Sequence, residues 1–208
     1  MWEYGQITQY RHNGEGIDLV IHLPDKSIVD SITRKHVSNC TLQYDDGRHI
    51  SAEQRKKAYA TIADIAVYTG YMPEELKEIL KYIHMTRNDC KYFSLSDCSM
   101  DTAREYINTI LDIALEYGVP LSDAGSNRTD DISHYLYQCI RHGKCAVCGD
   151  YGEIHHWDAV GMGNDRTSMD DSGHRKICLC RKHHTECHQI GSQSFEERYK
   201  VYGIIYTE

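Results

Sequence analysis

The chain has 208 residues, of which 40% are hydrophobic and 26% charged, and a formal net charge of −8. This is the balance of a soluble globular protein, long enough for one sizeable domain or two small ones, and no run approaches the ~18 apolar residues that a membrane helix needs. The acidic excess argues against generic adhesion to nucleic acid. The start, MWEYGQITQY, is too polar for a secretory signal, so a cytoplasmic location with reduced thiols is the expectation.

Residues 1–50 read as strands. Trp2–Tyr10 and Ile17–Leu23 flank the turn-prone NGEG and predict a β-hairpin, closed by Pro24-Asp25. Cys40–Tyr44 is a third candidate strand, ended by a turn at Asp45-Asp46-Gly47. Arg48, His49, Arg55, Lys56 and Lys57 then collect at a strand-to-helix junction, which is either a solvated helix start or a basic patch. Four helices follow. Ser51 with Gln54 forms a capping box ahead of the stripe Ala58, Ile62, Ile65, Ala66, with Gly70 as the stop. Pro73 opens the second, with Glu74 and Glu75 against the dipole and a stripe of Leu76, Ile79, Leu80 and Ile83. The third starts near Ser99, carries Ile107, Ile110, Leu111 and Ala114, and ends at Gly118. Residues 121–128 (LSDAGSNR) read as a linker, and a fourth helix over 129–142 carries Ile132, Tyr135, Leu136 and Cys139. These stripes predict core. A last helix near 194–202 begins with a capping box of Ser194 and Glu197.

The chemistry is concentrated in residues 145–188, which hold five of the nine cysteines and six of the thirteen histidines. Cys145 and Cys148 form a C-x-x-C pair followed by Gly149, and Cys180 with His183 supplies a matching C-x-x-H. Three thiolates and an imidazole suit tetrahedral Zn²⁺. A Cys145–Cys148 disulfide is the competing use, and Cys178 competes with Cys180, which is preferred for its register with His183. The remaining histidines predict a second ion. His184 and His188, four apart, share one face of a helix. His155 and His156 are adjacent in the strand-like EIHHW, so their rings leave on opposite sides and only one joins His184 and His188. A purely structural second zinc, or no second site, is the blander alternative. The nearest acids, Asp158, Asp165, Asp170 and Asp171, read as surface groups of a loop.

The order C-x-x-C-G, E-x-H-H, a loop, then L-C-x-x-H-H with another histidine four on resembles the HNH (ββα-metal) endonucleases, and more narrowly the phage-type ones. That resemblance implies phosphodiester hydrolysis in DNA, with His156 as general base and one divalent ion on His155, His184 and His188. It implies structural Zn²⁺ on Cys145, Cys148, Cys180 and His183, and Mg²⁺ or Mn²⁺ (Zn²⁺ or Ni²⁺ in a three-imidazole site) as the catalytic ion. The family's middle Asn is missing from its usual place before the second knuckle. His174 or Arg175 stands there, with Asn164 earlier in the loop, and His174 is the choice because its imidazole can still make two hydrogen bonds.

Residues 48–123 resemble, more diffusely, the phage Orf (NinB) recombination mediators, through R-x-x-S-x-x-Q-R, M-x-x-x-R-E-Y-I and G-V-P-L-S-D. This resemblance implies binding of single-stranded or branched DNA by Arg48, Arg55, Lys56 and Lys57 with exposed tyrosines as stacking surfaces, and single-strand-binding protein as a partner. The expectation is therefore an α+β protein. It has an Orf/NinB-like domain over 1–123, a connecting helix over 124–143 and a zinc-containing HNH domain over 144–208. It would act in phage or prophage recombination in a bacterial host's cytoplasm, pairing into a homodimer if it cuts both strands. The alternative is a non-catalytic zinc-binding recombination accessory.

Overall fold

The computed structural model describes residues 5–37, 39–40, 42, 47–158 and 173–206, which form two compact units, Met1–Asp46 and Gly47–Glu208. The mixture of small sheets and packed helices is α+β. Among the described residues no helix is long and apolar enough to cross a membrane.

The first unit holds the expected hairpin. Strands β1 (Gln6–Asn13) and β2 (Gly16–His22) pair antiparallel, with Tyr10 opposite Leu19 and Arg11 opposite Asp18. A helix follows where only strands were expected, α1 (Ser27–Lys35). The carboxylate of Asp25 starts it by accepting from the Ser27 amide (2.8 Å) and hydroxyl (2.9 Å). The β-branched Ile28, Val29, Ile32 and Thr33 hide this helix from a propensity reading. The third candidate strand, Cys40–Tyr44, and the turn after it fall largely outside the described residues, as does the start of the first.

The second unit begins with three long helices whose ends are set as expected. Helix α2 (Ala52–Thr69) carries the complete Ser51/Gln54 capping box and stops at Gly70. Helix α3 (Pro73–Asn88) opens on Pro73, and α4 (Met100–Tyr117) is capped by Ser99 and stops at Gly118. Helix α4 packs against all its helical neighbours, and Tyr106, Ile107, Ile110 and Leu111 on it are wholly buried. Residues 121–128 are not an open linker. They include a helical turn, α5 (Gly125–Arg128), and buried Arg128 donates to Ser122 Oγ (2.7 Å) and Asp64 Oδ2 (3.3 Å), tying the stretch to α2. Helix α6 (Ile132–Arg141) is then capped by Asp131.

The cysteine- and histidine-rich segment forms β3 (Glu153–His156) and β4 (Arg175–Leu179), antiparallel, followed directly by α7 (Arg181–Ile190). A short β5 (Ile204–Ile205) adds to β4, giving the order β3-β4-β5. Helix α8 (Ser192–Tyr199) begins earlier than its sequence suggests and lacks a side-chain cap. The reason is Gly191, which at φ 80° ends α7 and starts α8 in one residue. Ile177 and Leu179 of β4 and Phe195 of α8 are buried in the same apolar core as the helices.

Two polar side chains lie inside α3's apolar face. Lys81 reaches Glu78 (3.0 Å) and Tyr92 (3.1 Å), while His84 sits between the rings of Phe93 and Tyr106 with Nδ1 2.8 Å from Thr109 Oγ1. Burial pulls the His84 pKa from 6.5 to about 4, so the folded protein holds it neutral. A depressed folded pKa gives stability that is full above the unfolded value and lost as pH falls through the folded one. His84→Leu should therefore flatten the loss of urea resistance between pH 6.5 and 4 relative to the parent. Parallel stability–pH curves for the two proteins would show that His84 is not responsible.

Candidate metal centres

The first cluster is built by a tight knuckle closing onto a helix start. Cys145 and Gly149 bracket a turn in which the Gly149 amide donates to Cys145 O (2.9 Å) and the Cys145 amide to Asp150 O (2.7 Å). Gly149 has φ 77°, a backbone conformation that L side chains rarely adopt. Across from it, Cys180 is the N-terminal cap residue of α7 and His183 lies in the first turn. The donor atoms of Cys145, Cys148, Cys180 and His183 all lie within 4.8 Å of one another and could hold a metal ion. His183 Nδ1 is 3.4 Å from Cys145 Sγ and 3.2 Å from Cys180 Sγ, and the Cys148 and Cys180 sulfurs are 3.7 Å apart. Zinc bonds of about 2.3 Å to sulfur and 2.0 Å to nitrogen at tetrahedral angles space donors roughly 3.5–3.8 Å apart, so the cluster fits that ion.

Electrostatics distinguish the thiols. Burial pushes Cys145 and Cys148 up. Burial also works on Cys180, but backbone amides at the start of α7 and hydrogen bonds from the other two thiols outweigh it and leave Cys180 below its ordinary value. Cys178, its rival, is buried in β4 and pushed up by burial. All cysteines among the described residues are free thiols, the Cys145–Cys148 pair included.

The second cluster joins β3 to α7. His155 pairs with buried Ile177 in the β3–β4 register, so its ring faces the protein interior. His184 and His188, one helical turn apart on α7, come to meet it. Ring centroids are 4.6 Å apart for His155–His184, 4.8 Å for His155–His188 and 5.0 Å for His184–His188. Their donor atoms, within 4.8 Å of one another, could likewise hold a metal ion. Burial first, then the two neighbouring imidazoles, pulls His155 down to about 4, and burial with His188 lowers His184. Both rings are therefore neutral near pH 7, with lone pairs to offer a cation.

His156 is the next residue of β3, half-buried, in register with Lys176 on the strand's other face. His174 is half-buried beside Asp158, whose carboxyl is held down chiefly by Arg175. Asp158 is more than a surface acid. It accepts from the Arg175 amide (2.9 Å), Nε (3.0 Å) and Nη2 (2.6 Å), clamping β3's end to the start of β4. Sequence spacing does not reveal this pair, since its partners lie 17 residues apart. Asn164, Asp165, Asp170 and Asp171 lie outside the described residues.

The basic residues near α2 are divided in use. Arg55 donates to the carbonyls of Leu95 (3.0 Å) and Ser96 (3.1 Å), and Lys57 to Thr129 O (2.9 Å) and Asp130. Arg48 and Lys56 are exposed, as are Tyr59, Tyr82 and Tyr92.

Two side-chain clusters that could each hold a metal ion, Cys145, Cys148, Cys180 and His183 in one and His155, His184 and His188 in the other, thus meet at α7 behind an antiparallel strand pair. The family model described as "Putative HNHc nuclease" matches residues 21–208, and the chain belongs to that HNH nuclease family. No curated protein and no solved structure matches the chain.

If the first cluster holds structural zinc, Cys145→Ser leaves a buried site one ligand short, and folding and zinc binding are coupled in such sites. The variant should lose stoichiometric zinc and melt roughly 10 °C lower or more. Full zinc content with an unchanged melting curve would remove Cys145 from the ligand set.

Proposed function

We propose that the chain is a metal-dependent DNA endonuclease that hydrolyses phosphodiester bonds. The observation that carries this is the convergence of the His155, His184 and His188 donors within 4.8 Å, with His156 following on the same strand. A divalent ion there, Mg²⁺ or Mn²⁺ with Zn²⁺ or Ni²⁺ as substitutes, would supply positive charge to a non-bridging phosphate oxygen and to the leaving 3′ oxygen. His155, His184 and His188 would present ring nitrogens to it and hold its position. His156 takes the proton from the attacking water as general base. In this reading His174, beside Asp158, steadies the loop behind the base. The Asp158–Arg175 clamp shares that task by fixing the loop's two ends. Cys145, Cys148, Cys180 and His183 hold the zinc that keeps the start of α7 in place.

The recombination setting belongs to the same proposal. An Orf/NinB-like front domain over 1–123 would bring single-stranded or branched DNA, aided by single-strand-binding protein. Arg48, Arg55, Lys56 and Lys57 would make the phosphate contacts there, with Arg55 and Lys57 also donating to backbone carbonyls. Cutting both strands would call for a homodimer. A second reading, a zinc-binding recombination accessory without catalysis, draws support from the absence of the family's Asn at the position of His174.

His156→Ala separates the two readings. It should lower nicking of plasmid or branched DNA with Mg²⁺ or Mn²⁺ by about three orders of magnitude or more, while zinc content and melting stay at the parental level. Cleavage at the parental rate would remove His156 as the base. A parent that nicks no DNA with Mg²⁺, Mn²⁺ or Ni²⁺ would favour the accessory reading.

A further inference from the structure

Cys187 belongs to neither cluster, yet it is buried on α7 with its sulfur 3.5 Å from His155 Nε2. It lies between the cluster residues His184 and His188 in sequence, and shares the inward face of α7 with His183, four residues before it. A neutral imidazole has one protonated nitrogen and one bare one, and only the bare one can take a cation. In a buried ring the protonated nitrogen needs an acceptor, and that acceptor decides which way round the ring binds. His155 is such a ring, at 5% exposure. Its nitrogens are not among the buried polar atoms that lack a partner, in contrast to His84 Nε2 in the helical core. The contact that meets this need is the one to Cys187.

We propose that Cys187 is a positioning residue for His155: its sulfur accepts the Nε2–H and so leaves Nδ1 bare for the space shared with His184 and His188. The inference rests on the proposed histidine site. Sulfur is a weak acceptor, and a hydroxyl oxygen in its place is a stronger one. Packing alone would ask only for a small apolar side chain at this position. Positioning asks for an atom that can accept, and the two demands rank substitutions in opposite order.

Ni²⁺ titrated calorimetrically into the full chain, with the first cluster already loaded with zinc, reads this ranking. Cys187→Ser should bind Ni²⁺ about as the parent does, whereas Cys187→Val and Cys187→Ala should bind about 10-fold more weakly. Long-range ¹H–¹⁵N spectra of the Ni²⁺-free protein should place the His155 proton on Nε2 in the parent and in Cys187→Ser, and show mixed tautomers in Cys187→Val. Parental affinity and tautomer in the valine variant would overturn the positioning role. His184→Ala tests the underlying site in the same titration and should abolish Ni²⁺ binding. Its retention of binding would overturn both the histidine site and the role of Cys187, while its loss beside a parental Cys187→Val would overturn only the latter.

Discussion

Everything in the second unit's chemistry depends on where α7 begins. Cys180 ends the extended run of β4 and caps the helix, and His183 closes the first turn back onto Cys145 and Cys180 at 3.2–3.4 Å. Once that turn is anchored, the helix repeat leaves no freedom for the next residues. His184 and His188 must leave on a face about 100° from His183, and that face meets His155 on β3. The two clusters are thus consecutive on one rigid element. In the proposed reading, zinc at the first is a folding device whose output is the geometry of the second.

The strand pair supplies the complementary constraint. A β-strand sends neighbouring side chains to opposite faces, so adjacent histidines on β3 cannot do the same job. Pairing of His155 with Ile177 turns that ring inward to the cluster, and pairing of His156 with Lys176 turns the other to the opposite face. In the proposed reading, the division of labour between holding a cation and moving a proton would follow from backbone alternation. The Asp158–Arg175 clamp fixes the end of β3 to the start of β4, and the Trp157 amide donating to Arg175 O (2.8 Å) adds to it.

Much of this is legible in the sequence because its signals are local. The Cys145/Cys148 and Cys180/His183 pairs and the His184/His188 repeat are spacings of three or four residues, and the caps Ser51 and Ser99 and the first-turn Pro73 stand beside the turns they start. What stays hidden depends on partners far apart. The anchoring of residues 121–128 rests on Arg128 reaching Asp64, and the burial of Lys81 and His84 on rings contributed by Tyr92, Phe93 and Tyr106. In the sequence Cys187 only complicates the choice of zinc ligands, and its neighbour His155 comes to it when β3 lies against α7. Helix α8 misleads for the opposite reason: Ser194 and Glu197 form a plausible box, but Gly191 has already turned the chain into the helix.

The chemistry of the two donor sets also bears on how an acidic chain, at −8, would attract a polyanion. Three thiolates more than neutralise a divalent ion, so a loaded first cluster would carry a net negative charge and repel phosphate. Three neutral imidazoles cancel nothing, so a loaded second cluster would keep the ion's full double charge on the face shared by His184 and His188. The same helix would then present opposite signs within two turns, at a separation comparable with the Debye length of about 8 Å. A phosphodiester approaching the proposed endonuclease would be drawn to the histidine face and turned away from the knuckle. Local metal charge would do the steering that a basic surface does in other nucleases, so overall acidity need not weigh against DNA as substrate.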